Sequence, residues 1–255
     1  MPFVSNDGVR IHYEVEGKGS PLVLQHGLSD SMESWYEFGY VEQLKNDYQL
    51  IMIEARGHGE SDKPHDTAAY DLKLMASDVL AVLDSLDLAR VCYCGYSLGC
   101  RIGFEIARHA PERIHAFMMG GHHPYFSSTE FYRNIFKDGL DAWLKVIEAS
   151  AGPLTPSTRD RLLSNDVEAL RAVVANDRPD ISSVLPTITR RCRLFAGSED
   201  VLYFEKVRRA ASGLSNGDFV PLSGLNHFQT YLRGDLVAPL LTPYILQLKG
   251  DMKQN

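Results

Sequence analysis

A chain of 255 residues with 44% apolar and 23% charged side chains has the length for one large core and is short for two independent domains. Its net charge of −7 weighs against nucleic acid or an anionic membrane as the main partner, since both reward clustered Lys and Arg; the one basic cluster, Arg190, Arg191 and Arg193, reads as the solvated approach to a strand. Four cysteines are too few for a disulfide framework, no apolar run reaches the roughly eighteen residues of a membrane span, and the first residues lack a secretory pattern, so a cytoplasmic protein without membrane insertion is expected.

Asn6-Asp7-Gly8 is a favourable hairpin turn ahead of an alternating strand over residues 9–15. Strands follow at 21–25, ending at His26-Gly27, and at 48–53. Leu72, Met75, Val79, Val82 and Leu86 then recur every three or four residues, the period of a helix with one buried face. Further strands are predicted at 91–94, 114–119, 193–196 and 219–222, with a helix-like stretch at 100–109. The middle strands are apolar on both faces, as strands covered by helices on both sides are. Near the C-terminus Leu236, Val237, Leu240, Leu241, Tyr244, Ile245 and Leu248 share a helical period, with Pro239 and Pro243 setting its start or a kink.

This alternation predicts an α/β fold: a mostly parallel central sheet with right-handed crossovers and helices on both faces. It breaks once. Between residues 122 and 186, helix-like segments at 129–149, 156–163 and 167–175 follow one another without a strand. We therefore divide the chain into a core of residues 1–121 and 187–255 and an inserted helical lid of residues 122–186. An insertion after a strand at the carboxyl edge of such a sheet sits over the place where ligands bind.

The segment Gly95-Tyr96-Ser97-Leu98-Gly99 lies between a predicted strand and a predicted helix. A serine at a sharp strand-to-helix turn has its hydroxyl pushed out above the sheet, and the two glycines leave room for the chain to fold back. Serine is a poor nucleophile at neutral pH unless a histidine, held by an acid, takes its proton. Asp200 just past one predicted strand and His227 in the loop after the last supply such a pair; Glu199 and Glu54 are the rival acids. His26 reads as structural, but the backbone N–H of Leu28 beside it can face the same anion as that of Leu98, and losing one such oxyanion donor costs about 3–4 kcal/mol of transition-state stabilisation.

Trp35, Arg101, His122 and Tyr125 are candidate substrate contacts, in a pocket made apolar by Met32, Phe126, Phe131, Tyr132, Phe136 and Trp143. The chain lacks an H-E-x-x-H or a zinc-spaced cysteine pair, and Gly57-His58-Gly59 lacks the third glycine of a dinucleotide fingerprint, so neither a metal nor a cofactor is implied.

Through His26-Gly27, Arg56-Gly57-His58-Gly59-Glu60-Ser61, the elbow, Asp200 and His227, the chain resembles the α/β-hydrolases over nearly its whole length, lid excepted. The order Ser97, Asp200, His227 is that of the family and not of trypsin-like or subtilisin-like enzymes. Glu54 stands where the family's second motif commonly has aspartate, a departure that touches a structural loop. Serine at position 97 sets the chain apart from the haloalkane dehalogenase and epoxide hydrolase branches, which use aspartate there. The resemblance implies hydrolysis of an ester, lactone or thioester of a small molecule through an acyl-enzyme. Two alternatives stay open: a lyase similar to the menaquinone-pathway synthase that eliminates pyruvate, in which the arginine four residues past the serine serves an anionic substrate, and a ligand receptor with an intact triad.

Overall fold

The chain opens with a hairpin of β1 (Phe3–Asn6) and β2 (Val9–Gly17), joined by Asp7 at φ 50° and Gly8 at φ 77°, the two left-handed residues that a tight hairpin turn demands. The structure, a computed structural model, describes residues 2–241. β3 (Ser20–Gln25) leads through the short helices α1 (Glu33–Glu37) and α2 (Tyr40–Leu44) to β4 (Tyr48–Ile53). Helix α3 (Leu72–Ser85) carries the five-residue apolar stripe up to Leu86, just past its end, and β5 (Val91–Tyr96) passes directly into α4 (Leu98–His109). After β6 (Ile114–Gly120) come α5 (Glu130–Lys137), α6 (Leu140–Ala151), α7 (Pro156–Leu163) and α8 (Val167–Val173). β7 (Arg191–Gly197), α9 (Phe204–Ser212), β8 (Gly217–Leu222) and α10 (His227–Leu232) follow, and residues 234–241 are again helical.

The eight strands form one sheet in the order β1-β2-β4-β3-β5-β6-β7-β8. Only the β1–β2 and β2–β4 pairings are antiparallel, which gives the mostly parallel α/β sheet expected from the sequence. Alternate residues of one strand serve opposite faces: Val23 packs under α3 and α4, whereas Leu22 and Leu24 pack under α1 and α2. β3, the first parallel strand, lies centrally between β4 and β5, so the chain winds away from it in both directions. Crevices outside the carboxyl ends of strands open at such a switch point. Gly27, Ser97 and Gly121 all stand at that edge, two, one and one residues past neighbouring strands.

One expectation needs correction. The single helix over 129–149 is two, because Gly139 takes φ 84° and turns the chain between α5 and α6. Of the C-terminal stripe, Val237 and Leu241 are buried, while Pro243, Tyr244, Ile245 and Leu248 lie outside the described residues.

Candidate active site

Ser97 has φ 52°, a backbone conformation that costs a non-glycine residue about 1–3 kcal/mol and persists only where its surroundings enforce it. The enforcement is visible. Its N–H donates to the Gly120 carbonyl at 2.8 Å, locking the turn to the next strand. A Cβ on Gly95 would collide with the Gly99 carbonyl, and one on Gly99 would collide with the Gln25 carbonyl on β3. The two glycines are therefore required by close backbone approach, which brings the ends of β3 and β5 together.

His227 begins α10, whose N-cap Asn226 forms a reciprocal capping box with Gln229. Its Nε2 lies 3.1 Å from Ser97 Oγ, and its Nδ1 lies 2.8 Å from Asp200 Oδ2. Asp200 is 3% exposed, and its other oxygen accepts the Tyr203 backbone N–H at 3.1 Å. A carboxylate on Nδ1 keeps that nitrogen protonated and leaves Nε2 free to accept from the serine hydroxyl. The rival acids stand apart: Glu199 is exposed, and Glu54 is buried against His12 at 3.0 Å. His227 is also positioned from behind, since the Tyr96 hydroxyl donates to its carbonyl at 2.6 Å and the Tyr96 ring stacks on Tyr231 with centroids 5.0 Å apart.

Leu28 and Leu98 line one cavity with Ser97, and neither amide donates a hydrogen bond among the described residues. Two unpaired N–H groups at a cavity that also holds a serine hydroxyl meet the requirement of an oxyanion hole. His26 holds the loop that carries Leu28: its Nδ1 donates to the Gly27 carbonyl at 2.7 Å and its Nε2 accepts from the Ala55 amide at 3.2 Å.

Ser97 stands between two cavities. The larger, about 60 Å³, is walled by Phe38, Trp143, Ile147, Leu162, Phe228 and Tyr231 and is largely apolar. The smaller, about 30 Å³, is lined by Arg101, His122, Thr129, Arg178 and Tyr203. Tyr132 borders both and meets Tyr203 through their hydroxyls at 3.1 Å. Burial, reinforced by Arg101, holds the His122 imidazole well below its ordinary pKa, so it is neutral there.

Not every candidate contact faces these cavities. Trp35 is 1% exposed and sits in the core under α1, edge-on to Tyr40 and Tyr231, because α1 turns it and Met32 inward. Tyr125 contributes its carbonyl to Arg101, while its ring lies outside both cavities beneath the Arg209 guanidinium, 4.8 Å away. Phe126 and Phe131 are exposed and Phe136 is wholly buried. Arg178, Tyr203 and Phe228 escaped sequence reasoning. Phe228 and Tyr203 stand one and three residues past His227 and Asp200, which was a usable signal; Arg178 lies in a loop without any motif.

Among the described residues, no group of three or more His, Cys, Asp and Glu side chains is arranged to hold a metal, and no helix is long and apolar enough to cross a membrane.

Known proteins resemble this chain in sequence and fold. A putative 2-succinyl-6-hydroxy-2,4-cyclohexadiene-1-carboxylate synthase from Bacillus subtilis is 30% identical over 156 residues, 56% of this chain and 56% of that protein. A probable esterase from Oryza sativa subsp. japonica is 24% identical over 255 residues, 90% of this chain and 93% of its own. The chain spans about half or less of the first curated relatives it matches, from 56% down to 31% of their length. Among solved structures, an enol-lactonase from Burkholderia xenovorans superposes with a TM-score of 0.84 at 20% identity, covering 96% of this chain and 100% of that one, a likeness of fold. Residues 20–214 match the family model for the alpha/beta hydrolase fold. Since that match takes in most of the sheet and the turn that carries Ser97, the chain belongs to the α/β-hydrolase family.

Proposed function

We propose that this chain is a serine hydrolase that cleaves a carboxylic ester, lactone or thioester of a small, largely apolar molecule. The observation that carries the reading is the relay of 3.1 Å from Ser97 to His227 and 2.8 Å from His227 to Asp200, on the wall of a largely apolar cavity. Ser97 attacks the carbonyl as His227 takes its proton; Asp200 orients the imidazole and stabilises the imidazolium; the Leu28 and Leu98 amides hold the oxyanion. His227 then returns the proton to the leaving group, and water repeats the sequence on the acyl-enzyme.

Residues 122–186 act as a lid. Four of the cavity's lining residues, Tyr132, Trp143, Ile147 and Leu162, come from this segment, and Trp143 Nε1 donates to Ser29 Oγ at 2.7 Å across the gap to the core. Arg161 ties the same segment to Asp30 at 2.8 Å and to Glu37 at 2.5 Å. A closed lid excludes the water that would otherwise compete for the oxyanion donors, and space of about 60 Å³ suits a short acyl group.

The test is a chromogenic ester and lactone panel run on the wild type and on Ser97→Ala, with mass spectrometry for an acyl group on Ser97. Turnover retained by the variant sinks the assignment. A second reading, elimination, is favoured by the likeness to the Bacillus subtilis synthase. It leaves no acyl group on the serine, so the trapping experiment separates the two.

A further inference from the structure

His227 has space on two sides. Besides the inner cavity of about 60 Å³, it borders a groove of about 240 Å³ between α5 and α6 on one bank and the turn after β7 on the other. Tyr132, His227 and Phe228 line both spaces and so form the partition between them. Ser97 meets that partition from the inner side, its hydroxyl 3.1 Å from His227 Nε2.

The groove faces solvent and is nevertheless largely apolar. Val201 is 94% exposed, Leu202 55% and Phe131 49%, and all three line it together with Val146. One exposed apolar side chain is ordinary, but several lining a single groove mark a surface that meets something apolar. Val201 and Leu202 are held in place. They follow Asp200 in a turn closed by the Val201 N–H on the Glu199 carbonyl at 3.0 Å and by the Tyr203 N–H on the Asp200 carbonyl at 3.2 Å. The residue that holds His227 therefore also fixes the apolar pair. The carboxylates of the lining are Glu199 and Asp200, and no lysine or arginine is among its residues.

The chemistry assigns the two spaces to different halves of an ester. As Ser97 Oγ bonds to the carbonyl carbon, the bond to the alcohol oxygen breaks, and that oxygen takes the proton His227 received from the serine. The acyl group then stays on Ser97, inside the partition, and the alcohol departs from beside His227. A water-sized group takes roughly 10–15 Å³ of such space, so the inner cavity of about 60 Å³ holds only a short acyl chain, while the groove has room for a longer one. We infer that the groove receives the alcohol half of the substrate, which is a neutral ester with a short acyl group and a long apolar alcohol, and that Val201, Leu202 and Phe131 set this preference. The assignment rests on the hydrolase reading for its chemistry.

Hexyl acetate and ethyl hexanoate are isomers that differ only in which side of the ester bond carries the long chain, and their kcat/KM values test the assignment. Each methylene moved out of water is worth about fourfold, so the extra methylenes of a hexyl alcohol, partly covered in an open groove, are expected to favour hexyl acetate by about tenfold or more. A ratio at or below one, or turnover of neither isomer, overturns the groove. The double variant Val201→Ser, Leu202→Ser is expected to bring the ratio of hexyl acetate to ethyl acetate close to one, and Leu202→Met to keep it. A ratio unmoved in the double variant, in protein whose melting curve shows it folded, overturns the role of the pair; should that variant unfold, Phe131→Ser on the opposite bank gives the same readout. With only acids in the lining, ω-acetoxycaproate, whose alcohol chain ends in a carboxylate, is expected to be poorer than hexyl acetate by about fivefold or more, and parity overturns the preference for a neutral chain. Labelling of Ser97 by a fluorophosphonate separates the two failures. With Ser97 labelled, an adverse isomer ratio removes the groove and leaves the hydrolase reading standing, whereas an unlabelled Ser97 with no ester turned over removes both.

Discussion

Two glycines, Gly99 at the sheet edge and Gly139 between α5 and α6, contrast the way these two regions are built. At Gly99 an added Cβ would strike the backbone of β3, whereas at Gly139, between α5 and α6, it would meet open space. The edge is built by backbones approaching so closely that only glycine fits, and its geometry follows from a few residues at fixed spacing. The insertion is built by side chains reaching across to the core, such as Trp143 to Ser29 and Arg161 to Asp30. One region is rigid by sterics and the other is held by replaceable contacts. In the function proposed above, chemistry that tolerates little misplacement resides on the first and selectivity on the second.

The comparison is broken most directly at the serine. Ser97→Ala is expected to lower kcat on activated esters by about 10⁶-fold, as loss of a triad nucleophile does, measured by steady-state kinetics on folded protein. Asp200→Asn should cost about 10⁴-fold by holding His227 in the wrong tautomer; a loss under tenfold would remove the acid from the relay. Gly99→Ala should destabilise the fold by about 3 kcal/mol or more, the upper range for overpacking, while Gly139→Ala should cost about 1–2 kcal/mol from its left-handed backbone alone. Denaturant midpoints decide, and equal losses would erase the distinction drawn here.

A pH test sharpens the same contrast. Burial beside His26 lowers His58, in the loop after β4, to about 3 from its ordinary 6.5. The unfolded chain then binds a proton that the folded chain refuses. Stability from this site is complete above about pH 6.5 and falls as pH drops toward 3, by about 1.4 kcal/mol per unit. Urea midpoints across that range should lose most of this slope in His58→Phe. The smallest effect is expected in the insertion: Trp143→Phe removes the donor to Ser29 and should cost about 1 kcal/mol of stability or a few-fold in KM, leaving kcat nearly intact.

Much of the sheet edge was legible because strands apolar on both faces and their punctuating glycines are local signals. Ser97, Asp200 and His227 stand one, three and five residues past the ends of β5, β7 and β8, so a parallel sheet brings them to one rim. The insertion was harder to read. The apolar period continues from Phe136 into Trp143, Leu144 and Ile147, which masked the break that Gly139 makes. Trp35 was misplaced because α1 has only five residues, too few to display a period that says which way its side chains face. Arg178 could not have been chosen from the sequence, because it lies in a loop outside any motif and only the fold brings it to the cavity beside Ser97.

The phenol of Tyr96 links the strand that ends at the serine to the helix that begins with the imidazole. Residues 122–186 reach the same helix from the other side: the Asn226 side-chain amide at its start donates to the Ser150 carbonyl at 2.8 Å, and the Phe228 ring meets Trp143 with centroids 5.7 Å apart. The imidazole is thus held from below by the sheet and from above by the cover, and a shift of the cover would be felt at the helix that carries it.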